Sequence, residues 1–379
     1  MSRRGAFVCC VALACIGAAV AQAQTAPAPA VSVVAFDATF RDWMKEHGVE
    51  KGVLVIGLQQ RQVFERGYGG QDPKQRVLLA SLSKAITGRC VAALVDGGRL
   101  RLDSKVGKVL APFFRQHGEP TDARIKDATV EQLLVHRGGF PTAPRDLMTP
   151  ATVELLQTRK SPATATPAEL LAATLTAPLA SAPGDAFSYS NIGYLALGVM
   201  VATVTGESYE AYCGRQVLEW AGIKAPALDR TWRAFSSFGG WSLSGTEYVT
   251  FLEHDRLLDA LRAGTRRTET VQDYDERRAQ LMGVFLDPHR QHAATGAPAA
   301  WAQAWYGFGQ FSATVGRESR VDWHTGSWGV APDTIGMQAG QRQGGASWFV
   351  WYSPRPGKVA TDALLERMTA LGGKLVVKP

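Results

Sequence analysis

Ala80-Ser81-Leu82-Ser83-Lys84 stands where a strand-like apolar run, Val77-Leu78-Leu79, gives way to a helical pattern that begins at Leu82 and stops at Gly97-Gly98. On a helix Ser81 and Lys84 share one face of the first turn, because side chains three apart are neighbours. A serine hydroxyl is a weak nucleophile until a base takes its proton, and a partly desolvated lysine can be that base. The same turn directs unpaired backbone N–H groups and the positive end of the helix dipole at anything bound there. The pattern also describes a serine N-cap followed by a surface lysine. What the chain places around it decides between the two.

Upstream, Gly52–Leu58 and Gln62–Tyr68 read as two strands joined by a short polar turn. Before them, Phe36–His47 carries Phe40, Trp43 and Met44 at helical spacing. Downstream, Ala85, Ile86, Ala92, Ala93 and Leu94 make the helix after Ser81 apolar on nearly all sides, which predicts a central, buried element. From Leu100 to about Lys224 the periodicity is helical. Thr129 with Gln132, and Thr166 with Pro167 and Glu169, form two capping boxes; Ile192–Thr205 is a further helix, and Ser208 caps one running to about Trp220. Strand patterns return at Gln310–Val315, Arg320–Thr325, Thr334–Gln338 and Ser347–Tyr352, and Thr361 caps a final helix ending at Gly372-Gly373. Strands at both ends with helices between them imply an α+β sheet domain, 36–99 with 225–379, interrupted by a mostly helical subdomain, 100–224, the whole forming one catalytic domain.

At the N-terminus, Arg3 and Arg4 precede an apolar run that ends in Ala21-Gln22-Ala23, the pattern of a signal peptide over 1–23, followed by a Pro/Ala linker, 24–35. A periplasmic or secreted protein is expected, and Ser2-Arg3-Arg4 leaves open whether export is by the general or the twin-arginine route. Of the 5 cysteines, only Cys90 and Cys213 follow the signal, too few for a disulfide scaffold and without metal spacing. Both a disulfide and buried free thiols suit them. The formal charge of +7 is interspersed with acidic residues, as in 266–278, which describes a solvated face and not a nucleic-acid surface. After the signal no apolar run is long enough to span a membrane.

Two further phrases carry chemistry. Tyr189-Ser190-Asn191 opens the helix at Ile192; a tyrosine whose pKa is lowered beside a lysine can act as base and then as acid, and Asn191 can bond both a substrate carbonyl and the lysine. His324-Thr325-Gly326 ends a strand pattern between Trp323 and Trp328. Gly326 permits close approach of a ligand, and the next N–H, on Ser327, can pair with that of Ser81 around an oxyanion.

In order and context these three phrases resemble the serine β-lactamase and penicillin-binding-protein superfamily, specifically its class C β-lactamase-like branch with D,D-peptidase, D-aminopeptidase and esterase relatives. Thr129–Phe140 (TVEQLLVHRGGF), Pro183–Gly198 (PGDAFSYSNIGYLALG), Val204–Tyr212 (VTGESYEAY) and Gly239–Phe251 (GGWSLSGTEYVTF) extend the resemblance over most of the chain. The resemblance implies an antiparallel sheet flanked by helices, and an exported serine hydrolase without metal or organic cofactor. Ser81 would be acylated; Lys84 and Tyr189 would share the base and acid roles. Asn191, His324, Thr325, Gly326 and Ser327 would bind a small-molecule or peptide substrate. Contact with the cell wall is a further expectation. His324 stands where class C β-lactamases usually carry lysine, which points away from carboxylate attraction. A true β-lactamase and a non-catalytic penicillin-sensing or cell-wall-binding protein are the alternatives.

Other constellations are weaker. No Gly-x-Ser-x-Gly elbow is present. His136, before Gly138-Gly139, reads as structural, and His289 with His292 lacks the carboxylates of a metal site. Eight tryptophans (232, 241, 301, 305, 323, 328, 348 and 351) either line an apolar acyl pocket or fill the core.

Overall fold

The computed structural model describes residues 32–142, 145–159, 164–254, 304–315, 319–329, 333–342 and 344–373. The signal segment 1–23, the linker up to residue 31, the mixed-charge run 266–278, the His289/His292 pair and Trp301 lie outside these residues.

In chain order the strands are β1 (Lys51–Leu58), β2 (Arg61–Tyr68), β3 (Val77–Leu78), β4 (Ala227–Leu228), β5 (Trp241–Leu243), β6 (Trp305–Gly307), β7 (Gln310–Val315), β8 (Ser319–Trp328), β9 (Ile335–Arg342) and β10 (Ser347–Ser353). The helices are α1 (Val33–Glu46), α2 (Ser83–Asp96), α3 (Val106–Val109), α4 (Ala111–His117), α5 (Val130–Leu134), α6 (Pro150–Thr158), α7 (Pro167–Thr174), α8 (Asn191–Thr205), α9 (Tyr209–Cys213), α10 (Gly245–Glu253) and α11 (Lys358–Gly372). Seven strands form one antiparallel sheet in the order β2-β1-β10-β9-β8-β7-β6, so the two chain ends meet where β1 pairs with β10. This is the α+β, β-lactamase-like arrangement that the sequence implies.

Strand alternation sends successive side chains to opposite faces. Leu54 and Ile56 of β1 and Trp348, Val350 and Tyr352 of β10 face α1 and α11, where Phe36, Phe40, Trp43, Leu364 and Met368 complete one apolar layer. Val53, Val55, Phe349 and Trp351 face the other way, toward α2 and α10, in a core continuous with that of the helices from α3 to α9. At about 25 cal/mol per Å² of apolar surface, both layers stabilise the sheet and, through it, the position of α2.

Both predicted capping boxes are present, at Thr129/Gln132 and Thr166/Glu169, and Ser244 with Glu247 forms another. Two boundaries differ from expectation. The last helix begins at Lys358 with Gly357 as N-cap, and Thr361 lies inside it, its hydroxyl donating to the Lys358 carbonyl. Lys358 and Val359 are exposed, so apolar periodicity carries no signal for that first turn. The helix after Ser208 passes from α into π geometry over Gly214–Glu219, a change of hydrogen-bond register that side-chain spacing does not encode. Cys90 of α2 and Cys213 of α9 form a disulfide, which resolves the alternative left open above.

Candidate active site

Ser81 sits in a 3₁₀ turn, Ala80–Leu82, that runs directly into α2. Buried Ala80 holds a φ of +45°, in the left-handed region, so the chain bends sharply just before Ser81. The surroundings over-determine this bend. The Leu79 N–H donates to the Trp241 carbonyl (2.8 Å), the Trp241 N–H to Ser83 Oγ (3.2 Å), and the Tyr248 hydroxyl to the Leu82 carbonyl (3.1 Å). Ser81 is the half-buried residue in an otherwise buried turn.

Lys84 follows one helical turn later and is fully buried. Its Nζ donates to Asn191 Oδ1 (2.7 Å) and the Phe238 carbonyl (2.9 Å) and is hydrogen-bonded with Ser81 Oγ (3.0 Å). The Tyr189 ring centroid lies 5.0 Å from Nζ and that of Phe238 5.6 Å. Burial disfavours the ammonium and lowers the Lys84 pKa to about 7, against a partial counter-effect from the Asp146 carboxylate. A lysine that titrates near neutrality is half free base at ordinary pH.

Tyr189 is held by the segment that leads into α8. The Ser188 N–H donates to the His136 carbonyl (2.8 Å) and the Ser190 N–H to His136 Nδ1 (3.1 Å), while the His136 ring packs 4.3 Å from that of Tyr189. His136 thus has the structural part expected of it, and burial holds its imidazole neutral. The Ser81 hydroxyl is within hydrogen-bonding reach of Tyr189 and favours its ionised form, but burial acts more strongly and pushes the phenol upward. This corrects the expectation that a neighbouring lysine lowers it: the phenolate loses more by burial than its neighbours return. The resting Tyr189 phenol is protonated at ordinary pH.

The helix-facing positions of β8 are His324, Gly326 and Trp328. A Cβ on Gly326 would stand 3.0 Å from the Leu79 carbonyl oxygen and 2.9 Å from Met337 Cγ, so the strand lies directly against the turn that carries Ser81. Thr325 and Ser327, on either side of Gly326, are exposed. A Gly326→Ala variant is expected to push β8 outward by a few tenths of an ångström. Labelling of Ser81 should then slow about tenfold with little change in melting temperature, since small misplacements cost rate before stability. Parallel labelling and thermal-melt measurements check this.

His324 is 2% exposed. Its Nδ1 lies 2.6 Å from the Thr325 carbonyl, which can only accept, so Nδ1 carries the hydrogen. Nε2, 2.9 Å from the Tyr306 hydroxyl, then accepts from it. Burial, with the nearby Lys84, lowers the His324 pKa to about 3. The ring is neutral and both nitrogens are engaged inside the protein.

Three participants have no local signature in the sequence. Phe238 contributes a carbonyl and its ring from a π turn, Ser236–Gly240. Tyr306 lies 18 residues before His324 and reaches it across the sheet. Asp146, 2% exposed in the loop before α6, accepts from the Asn191 N–H at 2.6 Å. Of the tryptophans, 241, 305, 323, 348 and 351 are buried in the core, whereas Trp232 and Trp328 are half-buried and meet edge to face, centroids 4.4 Å apart, beside Ser327. Among the described residues no group of three or more His, Cys, Asp or Glu side chains is placed to hold a metal, and no helix is long and apolar enough to cross a membrane.

A family model described as Beta-lactamase matches residues 36–355. Protein flp of Staphylococcus aureus (strain COL) is 30% identical over 184 residues, 45% of this chain and 34% of flp, so the chain spans about a third of that relative's length. In structure the chain is similar to the octameric penicillin-binding protein homologue from Pyrococcus abyssi, with a TM-score of 0.64 at 18% identity over 90% of this chain and 78% of that one. It is also similar to the D-amino acid amidase from Ochrobactrum anthropi SV3, with a TM-score of 0.63 at 17% identity over 88% and 98%. The matched span takes in Ser81, Lys84, Tyr189, Asn191 and His324 through Ser327, and the chain belongs to the Beta-lactamase family, within the superfamily of serine β-lactamases and penicillin-binding proteins.

Proposed function

We propose that the protein is an exported serine hydrolase that opens an amide or ester through an acyl-enzyme on Ser81. The observation that carries this reading is the environment of Lys84. A neutral amine has two N–H donors and one lone pair. The Asn191 and Phe238 oxygens can only accept and take the two donors, so the lone pair is left facing the Ser81 hydroxyl, 3.0 Å away. As Ser81 Oγ bonds to the substrate carbonyl carbon, its proton passes to Nζ. The carbonyl oxygen gathers negative charge between the N–H groups of Ser81 and Ser327. Collapse breaks the bond to the leaving amine or alcohol, which takes a proton from the Tyr189 hydroxyl, and the Lys84 ammonium returns one to Tyr189. Water then attacks the acyl-enzyme, losing a proton to Lys84, and Ser81 leaves with that proton.

The substrate preference we infer is a neutral ester or a D-amino-acid amide. Neutral His324, with both ring nitrogens engaged, supplies no cation for a substrate carboxylate. The Trp232–Trp328 corner beside Ser327 offers an apolar surface to an acyl group. The likeness in fold to a D-amino acid amidase supports the amide option. Export is supported by the Cys90–Cys213 disulfide, which suits an oxidising compartment. β-Lactam hydrolysis is the second reading, favoured by the family match.

The test is labelling with an uncharged fluorophosphonate. Wild type should react and Ser81→Ala should not, with a rate that rises with pH through a midpoint at about 7, where Lys84 loses its proton. Absence of Ser81-dependent labelling would favour a non-catalytic binder on the same scaffold. Intact mass with benzylpenicillin separates the rest: Ser81-dependent loss of the drug without a lasting adduct indicates a β-lactamase, and a persistent adduct a penicillin-binding peptidase.

A further inference from the structure

We propose that Asp146 is a positioning residue of this site: its carboxylate fixes the Asn191 amide so that Oδ1 is presented to Lys84, and it supplies the negative charge that the Lys84 ammonium faces. The inference rests on the reading of Lys84 as the base that serves Ser81.

Asp146 lies in the loop ahead of α6 and is buried, an uncommon place for a carboxylate without a purpose. Its Oδ2 accepts from the Asn191 N–H at 2.6 Å, one of the unpaired donors of the first turn of α8. The Asn191 side-chain amide also favours the ionised form of the carboxylate. A carboxylate only accepts, so the amide favours it through its NH₂ end, which leaves the oxygen for the other side. Oδ1 then meets Lys84 Nζ at 2.7 Å, and Nζ meets Ser81 Oγ at 3.0 Å. The chain Asp146–Asn191–Lys84–Ser81 thus runs from a buried charge to the nucleophile.

The other groups that face Lys84 carry no charge. Tyr189 and Tyr194, from the start of α8, keep their protons because burial raises them. His136, beyond the end of α5, and His324, from β8, are held neutral by burial. The π turn contributes a carbonyl, and α2 the Ser81 hydroxyl. Among the described residues Asp146 is therefore the one carboxylate acting on Lys84; burial raises its own pKa, and the Asn191 N–H and Lys84 act against that rise in favour of the ionised form.

The test compares the pH dependence of fluorophosphonate labelling in wild type, Asp146→Asn and Asp146→Ser. Both substitutions remove the charge, and each keeps an oxygen that can accept from the Asn191 N–H. Without the carboxylate the ammonium is less favoured, so the acid limb of labelling should move to lower pH by at least about half a unit in both variants. Loss of Asn191 orientation should in addition lower the high-pH plateau, about tenfold or more. A purely structural Asp146 would lower the plateau and the melting temperature while leaving the limb in place, and that result overturns the proposal. If wild type itself shows no Ser81-dependent labelling, the reading of the site fails instead, so the two failures are distinguishable. Should both variants fail to fold, the Lys84 ε-carbon resonance of ¹³C-lysine-labelled wild type carries the same test. A second, smaller inflection on the acid side of its titration is expected, and a single-step curve overturns the proposal.

Discussion

Lys84→Met lowers the rate of Ser81 labelling by about 10³-fold at pH 8, within the range that a general base contributes. The methionine keeps the volume of the buried chain, so the core around α2 stays filled. What it removes is the lone pair aimed at the Ser81 hydroxyl and the two N–H groups that satisfy Asn191 Oδ1 and the Phe238 carbonyl. Leaving those oxygens unpaired costs about 1–3 kcal/mol each, partly offset because an amine no longer has to be desolvated. The variant should therefore melt a few degrees lower yet remain folded, and its labelling should lose the acid limb near pH 7 along with most of its rate. A Met variant that is labelled as fast as wild type would remove Lys84 from the chemistry and, with it, the inference about Asp146.

The second large effect concerns a residue that touches no substrate. Phe308 and Gly309 form the two-residue turn between β6 and β7, and both have positive φ (49° and 81°), as a type I′ hairpin demands. This turn lies on the backbone of α2. A Cβ added to Gly309 would fall 1.9 Å from the Lys84 carbonyl oxygen and 2.4 Å from the Ala85 nitrogen. On the helix side, a Cβ on Gly88 would meet the Phe308 carbonyl at 2.1 Å, so the contact depends on a glycine in each partner. Arg89 secures it from the flank, donating to the Phe308 carbonyl and to the Gln310 side chain. Gly309→Ala cannot be absorbed by a rotamer change, because the obstructing atoms are backbone. A loss of about 4 kcal/mol is expected. The melting temperature should fall by on the order of 10 °C, and labelling should slow, because the hairpin or the Lys84 turn has to move. Gly344→Ala is the control: it has the same positive φ, but nothing stands within 4 Å of the added carbon, so only the backbone cost of about 1 kcal/mol applies. Equal melting temperatures for the two variants would mean that the hairpin does not dock on α2.

The contrast between these two positions shows what could be read in advance. Ser81 and Lys84 are three residues apart on one helix, so their meeting follows from helical geometry and needs no tertiary information. The same holds for the Thr129 and Thr166 caps and for the amphipathic face of α1, each set by residues a few positions apart. The α+β order of elements was legible for the same reason, and the three phrases, in their order and context, resemble those of the family. Asp146 and Tyr306 were not legible, because what they do is done across 45 and 18 residues of chain, and nothing in their neighbours distinguishes them from any loop aspartate or strand tyrosine.

By itself, then, the sequence determined the elements, their order and the local pairing of a serine with a lysine, since short-range geometry and the periodicity of apolar residues dictate those. Only the tertiary structure decided the protonation states. The depth at which Lys84, Tyr189 and His324 are buried sets how far each is pushed from its ordinary pKa. That depth depends on how the sheet, α2 and α8 close over one another, a property no single segment contains. Tertiary packing therefore raised the pKa of a tyrosine expected to have a low one, and it left His324 a neutral side chain with both nitrogens bonded inside the protein.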